Sequence, residues 1–400
     1  MTTVPSSDVD HLLDGFETVE TVEDFHARLK LGRPLNVKLG IDPTSPDLHL
    51  GFMVVLHKLQ RFAEAGHNVT LIIGDFTASI GDPSGRNAMR PPLTSEQIEA
   101  NMQTYREQAG KVLDLERVKV RYNSEWLGKM NFSDVVRMVS HVTVAQMLER
   151  NDFNNRYEGG TPISLHEFLY PVAQAADSIA IESDVELGGT DQLFNLLLGR
   201  QFQREYGQLP QICATVPLLV GLDGERKMSK SLNNYVGIAE NAHTQFGKLM
   251  SMPDELMPTY ARLAAFRSQS EADALAGQIA SGSSNPIELK KQLAQDIVGR
   301  YHGAAEALGA RDFFERTVQR KEIPLDDVPE MEQGDAKTVA QLLVKAGFAE
   351  SKRAAERLIS QNGVKVDGIV VNDPRASWTA TEPAVLSVGS RNFKRVLPLR

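Results

Sequence analysis

The first half of the sequence predicts an α/β fold in which helices cover a parallel β-sheet. Apolar residues alternate with other residues across positions 36–41, the two-residue period of a β-strand. A helical pattern follows from about residue 49 to residue 65, and Gly66 is well placed to end it. The apolar run Val69–Ile73 is typical of a short buried strand. Strand, helix and strand within about 35 residues indicate a βαβ unit, whose two strands run parallel.

The same alternation continues to about residue 232. Further strands are predicted at 117–122 and 214–220. Helical patterns fill most of the ranges 95–111, 133–150, 165–180 and 191–206. We therefore expect residues 1–232 to form one α/β domain.

The character of the chain changes after residue 232. Strand signals fade, and residues 233–320 are predicted to be mostly helical, with several prolines as breaks. Residues 321–336 contain an acidic stretch with two prolines, which predicts a linker. Residues 337–400 predict a small α+β domain.

The α+β domain carries its own sequence signals. Helices are predicted at 337–346 and 350–361, and Asp367-Gly368 predicts a hairpin turn between two short strands. Residues 335–400 hold 11 Lys+Arg and 6 Asp+Glu, a net charge of +5, whereas the rest of the chain carries −14 and the whole chain −9. A basic domain on an acidic chain favours a polyanionic partner, although solvated basic faces are also common.

Composition excludes several other classes of protein. No apolar run is long enough for a membrane span, and the N-terminus lacks the pattern of a secretory signal. The single cysteine, Cys213, cannot form an internal disulfide, and its apolar neighbours favour a buried structural role over a nucleophile. No Cys/His cluster has zinc-ligand spacing, so no structural metal is expected.

The most specific local signal is Lys227-Met228-Ser229-Lys230-Ser231, which follows a turn. Two ammonium groups three residues apart on a loop can close on a polyphosphate, for which compact point charges are suited. An arbitrary lysine pair of this spacing is usually only solvated, so the value of the signal comes from the complete five-residue string.

A second signal is His49-Leu50-Gly51-Phe52, at the predicted start of the helix that follows the first strand. The amino end of a helix carries free N–H groups and partial positive charge, which favours phosphate. A histidine at a helix start is more often structural, and the significance of this one comes from the accompanying lysine loop.

Together the two strings resemble the paired signatures of the class I aminoacyl-tRNA synthetases. Other segments look like the bacterial tyrosyl members of that family: residues 40–44, 80–86, 170–177 and 188–192. The resemblance implies a Rossmann-like catalytic domain over 1–232, an α-helical anticodon-binding domain over 233–320 and a ribosomal-protein-like RNA-binding domain over 337–400. It also implies a tyrosine–tRNA ligase that first makes tyrosyl-adenylate and then charges tRNA(Tyr).

The same resemblance implies roles for individual residues. The tyrosine pocket would comprise Lys38, Asp82, Tyr170, Gln174, Asp177 and Gln192. Within it, Asp82, Tyr170 and Gln174 would hold the substrate ammonium group. Asp177 would accept a hydrogen bond from the phenol, and Gln192 would contact the carboxylate side.

The nucleotide would bind beside the amino acid. The ATP site would comprise Gly40, Asp42, His49, Gly51, Gly189, Asp191 and Lys230, with Asp191 on the ribose hydroxyls. The transferring phosphates would be stabilised by Thr44, His49, Lys227, Lys230 and Arg86. ATP would enter with Mg²⁺.

The resemblance further implies a cytoplasmic homodimer whose interface lies around residues 125–165, and no contact with a membrane. The α+β domain 337–400, called the tail from here on, would contact the phosphates of tRNA. Its second predicted helix carries the basic residues Lys352, Arg353 and Arg357.

Two departures from the family pattern leave alternatives open. Phe52 stands where the first signature usually ends in a polar residue, which keeps open a catalytically impaired relative that acts as an RNA-binding or regulatory protein. Lys38 stands where a tyrosine is common; it would either orient Asp177 or contact the phenol indirectly, or else lie in solvent. A tryptophan-specific sister enzyme is the third candidate, disfavoured by Asp177 and by the tail domain.

Overall fold

The central element of the first part of the chain is a six-stranded sheet. A computed structural model describes residues 11–44, 46–83, 94–320, 329–378, 381–389 and 392–398. The strands of this sheet are β1 (Thr18–Glu20), β2 (Asn36–Ile41), β3 (Asn68–Ile73), β4 (Val118–Tyr122), β5 (Val185–Gly189) and β6 (Ile212–Val216). Their order is β1-β6-β5-β2-β3-β4; β1 is antiparallel to β6 and the other neighbours are parallel.

This strand order places a change of direction at the centre of the sheet. The chain proceeds outward from β2 through β3 to β4, and then returns to the other side of β2 for β5 and β6. In open parallel sheets, ligands bind at the carboxyl ends of the strands beside such a reversal. The fold therefore directs attention to the carboxyl ends of β2 and β5.

Helices cover this sheet or follow it along the chain. They are α1 (Val22–Leu29), α2 (Leu50–Glu64), α3 (Thr77–Ile80), α4 (Ser95–Ala109), α5 (Ser124–Leu127), α6 (Phe132–Val139), α7 (Val144–Met147), α8 (Asn151–Glu158), α9 (Leu169–Ile181), α10 (Leu193–Glu205), α11 (Ala242–Leu249), α12 (Met257–Leu263), α13 (Gln269–Ser281), α14 (Pro286–His302) and α15 (Ala304–Phe314). Side-chain caps mark several starts, such as the capping box of Thr94 and Gln97 at α4. No helix of the described residues combines the length and apolar character that crossing a membrane requires.

The tail forms a second sheet. Its strands are β7 (Glu330–Glu332), β8 (Val364–Val366), β9 (Ile369–Val370), β10 (Ala384–Val388) and β11 (Asn392–Leu397), in the order β7-β11-β10-β8-β9. Two helices, α16 (Val339–Lys345) and α17 (Lys352–Ser360), pack with it around a core that includes Leu342, Ile359 and Leu386. The predicted α/β sheet, helical segment and small α+β tail are thus confirmed.

Three boundaries differ from the predictions. The predicted linker at 321–336 extends too far, because Glu330–Glu332 pairs with β11 as a strand of the tail sheet. The helical pattern at 133–150 is interrupted between α6 and α7, where Thr143 caps a new helix. The strand predicted at 214–220 is β6, which ends at Val216.

The described residues group into two compact units. One contains those up to Asn241 together with Lys248–Tyr301, and the other contains Ala242–Gly247 with those from His302 onward. The predicted helical segment 233–320 is thus divided between the units instead of forming one of its own. The reason is packing: α12 contacts α13 in the first unit, whereas the aromatic rings of Phe313 and Phe314 contact Phe393 and Phe246 in the second.

Candidate active site

A cavity of about 720 Å³ opens at the carboxyl ends of β2 and β5, where the strand order reverses. Its lining includes most of the residues predicted for tyrosine and ATP: Gly40, Asp42, Thr44, His49, Gly51, Asp82, Tyr170, Gln174, Asp177, Gly189, Asp191, Gln192, Lys227 and Lys230. Lys38 is fully buried and does not line the cavity. Arg86 lies outside the described residues.

Asp177 on α9 provides a buried carboxylate in this cavity. The indole N–H of Trp126 donates to its Oδ1 at 2.8 Å, and the side-chain amide of Asn123 donates weakly to Oδ2 at 3.4 Å. Burial raises the pKa of the Asp177 carboxyl to about 7, and the opposing effect of the Lys38 ammonium is smaller. The site thus holds an acceptor that is only 3% exposed and that a ligand hydroxyl could complete.

Lys38 lies behind the cavity wall, where it forms a buried ion pair. Its ammonium lies 2.8 Å from Glu186 Oε1, and both side chains are almost completely buried. Glu186 also accepts hydrogen bonds from Gln174 Nε2 at 3.0 Å, from Ser178 Oγ at 3.0 Å and from Gln211 Nε2. Of the two alternatives for Lys38, a solvated strand residue is excluded.

Asp42 lies just beyond the end of β2 and is held by two hydroxyl groups. Tyr170 donates to Oδ2 at 2.9 Å and Thr77 donates to Oδ1 at 2.7 Å. Burial, followed by the neighbouring Asp82, raises the pKa of the Asp42 carboxyl to about 7. Gly74 makes this approach possible, since a Cβ there would lie 2.1 Å from Asp42 Oδ1.

A chain of side-chain amides joins the residues predicted to hold the substrate amino and carboxylate groups. Gln192 donates to Asp82 at 2.9 Å, and Asn195 donates both to Gln192 at 3.0 Å and to Gln174 at 2.9 Å. The guanidinium of buried Arg150 lies 3.4 Å from Asp82 and donates to Asn195 at 3.0 Å. The orientation of each amide is therefore fixed by its neighbour.

His49 caps the amino end of α2. Its Nδ1 accepts from Gly51 N at 3.2 Å, so the ring proton is on Nε2. A Cβ on Gly51 would approach the ring to 3.0 Å, which explains the glycine. Burial, followed by Lys230 and Lys227, lowers the pKa of His49 to about 3, so the imidazole is neutral. A neutral donor at a helix amino end suits a phosphate oxygen.

The lysine loop closes the same end of the cavity. Lys227 forms an ion pair with Asp191 at 2.6 Å, and burial lowers the pKa of Lys230 to about 8. Asn234 holds the loop: its Oδ1 accepts from Ser229 N at 2.8 Å and its Nδ2 donates to Lys227 O at 3.1 Å. His49 and both lysines therefore meet over one cavity.

Phe52 and the tail residues complete the predicted set. The Phe52 ring lies 4.6 Å from that of His49, centroid to centroid, at the cavity wall. Lys352, Arg353 and Arg357 are exposed on α17 in the other compact unit. Among the described residues no group of three or more His, Cys, Asp or Glu side chains could hold a metal ion.

Several site residues were missed by sequence reasoning. Trp126, Asn123, Glu186, Asn195, Arg150 and Asn234 make the contacts described above, yet none belongs to a string quoted for the family resemblance. One signal was available for Glu186: a charged residue in a strand between apolar neighbours requires a buried partner, and Lys38 is the corresponding charge on β2.

Comparison with known proteins identifies the family of the chain. The family model described as tRNA synthetases class I (W and Y) matches residues 30–319. The chain belongs to this family. A second model, the S4 domain, matches residues 339–376 in the tail. The tryptophan and tyrosine members share the first model, so close relatives are needed to separate them.

Those relatives are tyrosine–tRNA ligases. The enzyme of Moorella thermoacetica is 49% identical over 387 residues, 96% of this chain and 94% of that protein. The enzyme of Ralstonia nicotianae is 51% identical over 367 residues, 92% of this chain and 93% of that protein. Within the family, the chain is therefore similar in sequence to the tyrosine members named here.

Solved structures agree at the level of the fold. The tyrosyl-tRNA synthetase of Archaeoglobus fulgidus, complexed with L-tyrosine, superposes with a TM-score of 0.65 at 23% identity. The match covers 76% of this chain and 99% of that one.

Proposed function

We propose that the cavity binds tyrosine and ATP side by side, joins them as tyrosyl-adenylate, and then passes the tyrosyl group to the terminal ribose of tRNA(Tyr). The observation that carries this proposal is that one cavity contains a buried carboxylate, Asp177, and also a helix amino end faced by two lysines, Lys227 and Lys230. The first feature suits a phenol and the second suits a triphosphate.

The amino-acid end selects by hydrogen bonding. The phenol of tyrosine donates to Asp177, while Asp82, Tyr170 and Gln174 receive the ammonium group and Gln192 lies beside the carboxylate. Phenylalanine at the same place would leave Asp177 buried without this donor, which costs free energy that tyrosine does not lose.

The nucleotide end stabilises charge. The tyrosine carboxylate attacks the α-phosphorus of ATP, which enters as its magnesium complex, and pyrophosphate leaves. Gly40, Asp42, Gly51 and Gly189 surround the adenosine part, and Asp191 accepts from the ribose. Thr44, His49, Lys227 and Lys230 hold the phosphates, and Arg86 is proposed to join them. Positioning and charge stabilisation suffice for this step, so no enzyme nucleophile is required.

Charging of tRNA requires a second contact surface. Lys352, Arg353 and Arg357 lie exposed on one helix, where they can neutralise phosphates. We assign tRNA backbone contacts to this helix and anticodon contacts to the helical segment 233–320. The protein would act in the cytoplasm.

A homodimer completes the proposal. The region around residues 125–165 exposes large apolar side chains, among them Phe132 and Leu165 at 83% and Val144 and Tyr157 at 66%. Apolar surface of this kind marks an interface in a protein that otherwise buries it. Sedimentation of the purified protein would show a dimer, and a monomer at micromolar concentration would contradict this part.

The test of the proposal is amino-acid-dependent exchange of pyrophosphate into ATP. We expect exchange with tyrosine and little with tryptophan or phenylalanine. Exchange with tryptophan instead would identify the sister specificity. Folded protein that exchanges with none of the three would support the impaired relative, in which Phe52 beside His49 disturbs the nucleotide end.

A further inference from the structure

The ion pair of Lys38 and Glu186 is an unusual feature of the sheet interior. The two residues are paired in the register of β2 and β5, their charged atoms are 2.8 Å apart, and each side chain is 1% exposed. Burying two charges costs much of what their attraction returns, and two apolar residues often stabilise a fold as well or better. A role in the adjoining site would explain the pair.

Glu186 is saturated with donors. Lys38, Gln174, Ser178 and Gln211 all direct hydrogen-bond donors at its two oxygens. The ammonium group and the amide N–H groups can only donate, so both carboxylate oxygens of Glu186 act as acceptors in this arrangement. Because one of these donors is Gln174, Glu186 also fixes the orientation of a side chain that lines the cavity.

The ammonium group of Lys38 therefore interacts with two carboxyl groups, those of Glu186 and Asp177. Lys38 donates to Glu186, and its charge also favours the ionised form of Asp177, which receives its own donors from Trp126 and Asn123. If Lys38 donated directly to Asp177, the ion pair would satisfy this carboxylate without a ligand. The phenol would then lose its advantage over an unsubstituted ring.

We propose that Glu186 is a specificity-determining positioning residue, which holds the Lys38 ammonium in an ion pair and so leaves Asp177 an oxygen for the substrate phenol. Lys38 in turn favours the ionised form of Asp177 from a distance. This inference rests on the proposed binding of tyrosine at Asp177. Neither Lys38 nor Glu186 lines the cavity, so both act through the residues that do.

The titrating neighbours of Asp177 make the idea testable. Lys38 on β2 and Glu186 on β5 face it with opposite charges, and Asp42 beyond the end of β2 adds a second nearby carboxyl. Burial and Asp82 come first among the causes that raise the pKa of Asp42. Changes at Lys38 or Glu186 should therefore shift the titration of Asp177 in particular.

The experiment measures kcat and KM for tyrosine and for phenylalanine in pyrophosphate exchange, from about pH 5 to about pH 9. The variants are Glu186→Gln, Lys38→Met and the double variant, which removes both charges. Ser178→Ala is the matched control, because it removes one donor from the same carboxylate but no charge.

The two single variants should shift the acid limb for tyrosine in opposite directions. Glu186→Gln frees the ammonium for Asp177, so the midpoint moves to lower pH, and kcat/KM for tyrosine falls about tenfold or more while that for phenylalanine hardly changes. Lys38→Met removes the favourable charge and moves the midpoint to higher pH. The double variant should return the midpoint and the selectivity toward the wild type, and Ser178→Ala should leave the midpoint in place.

Several outcomes would overturn the inference. The inference is wrong if both single variants exchange at the wild-type rate with the acid-limb midpoint at the wild-type pH. It is also wrong if Glu186→Gln lowers kcat/KM equally for tyrosine and for phenylalanine. Should Glu186→Gln fail to fold, as thermal unfolding would reveal, Lys38→Met and the double variant decide alone. Absence of tyrosine exchange in the wild type would instead contradict the proposed function itself.

Discussion

The tyrosine end and the phosphate end of the cavity differ in how deeply their charged side chains are buried. At the tyrosine end, Lys38, Asp177 and Glu186 are at most 3% exposed, and each side chain is fixed by a hydrogen bond or an ion pair. At the phosphate end, the side chains of Lys227 and Asp191 are 38% and 25% exposed. A phenol must be recognised by direction, which requires rigid partners, whereas a polyphosphate can be held by point charges that need less exact orientation.

The largest difference between the two ends is expected from a substitution at Lys230. Lys230→Ala should lower kcat for pyrophosphate exchange by roughly 10²–10³, because a charge aimed at the transferring phosphates is removed. The dissociation constant of tyrosine, measured by calorimetry, should remain nearly the same. Arg226→Ala, on the same loop but outside the cavity lining, is the control and should retain full activity. A parallel loss of tyrosine affinity would contradict the separation of the two ends.

A smaller effect on rate, with an opposite effect on stability, is expected at the buried carboxylate. Asp177→Asn should lower kcat/KM for tyrosine by roughly 10–100-fold, since a charged acceptor of the phenol is replaced. The same change should stabilise the fold at about pH 8. The folded-state pKa of Asp177 is raised, so the folded protein binds the proton more tightly and its stability falls as pH rises from about 4 toward about 7.

Denaturant unfolding at two pH values checks the second half of this prediction. The variant should gain up to about 4 kcal/mol over the wild type near pH 8, and the gain should shrink as the pH is lowered toward 4. A variant that is less stable than the wild type at both pH values would show that the carboxylate is a structural element and not a strained acceptor.

The contrast between the ends also explains what the sequence could predict. The residues of the phosphate end lie in short segments of sequence. One segment contains His49 at the start of the helix it caps, and the other contains the two lysines. Their positions in the fold follow from the strand–helix pattern. Asp177, Gln174 and Tyr170 were predicted only through resemblance to a family. No periodicity identifies them, because an acidic or amide residue on a buried helix has the same pattern as an apolar one.

The supporting network was not predictable for a physical reason. Glu186 is 148 residues from Lys38 and Trp126 is 51 residues from Asp177, and their contacts depend on strand register and helix docking that a single sequence does not encode locally. The predicted end of the linker was wrong for a similar reason. Glu330–Glu332 has the charge and the proline neighbours of a linker, but it pairs as a strand with the otherwise open edge of β11.

The rate of pyrophosphate exchange should depend on pH through titrating groups at both ends of the cavity. At subsaturating substrate the rate should rise as Asp177 and Asp42, whose pKa values are raised to about 7, lose their protons. It should fall as Lys230, whose pKa is lowered to about 8, loses its own. Lys230→Arg should move only the alkaline limb, to higher pH, since a guanidinium stays protonated. A shift of the acid limb in this variant would show that the two ends are electrostatically coupled.

The smallest effect on adenylate chemistry is expected in the tail, where neither end of the cavity is altered. Changing Lys352, Arg353 and Arg357 together to Ala removes three exposed charges from α17 and leaves its buried side chains Ala355 and Ile359 intact. Tyrosine-dependent exchange should match the wild type, while KM for tRNA in the charging reaction should rise. The slope of log affinity against log salt should fall by about three, because each of the three side chains neutralises one phosphate. An unchanged salt slope would place the RNA-binding surface on another face of this unit, whereas a drop in exchange would mean that the tail supports the cavity itself.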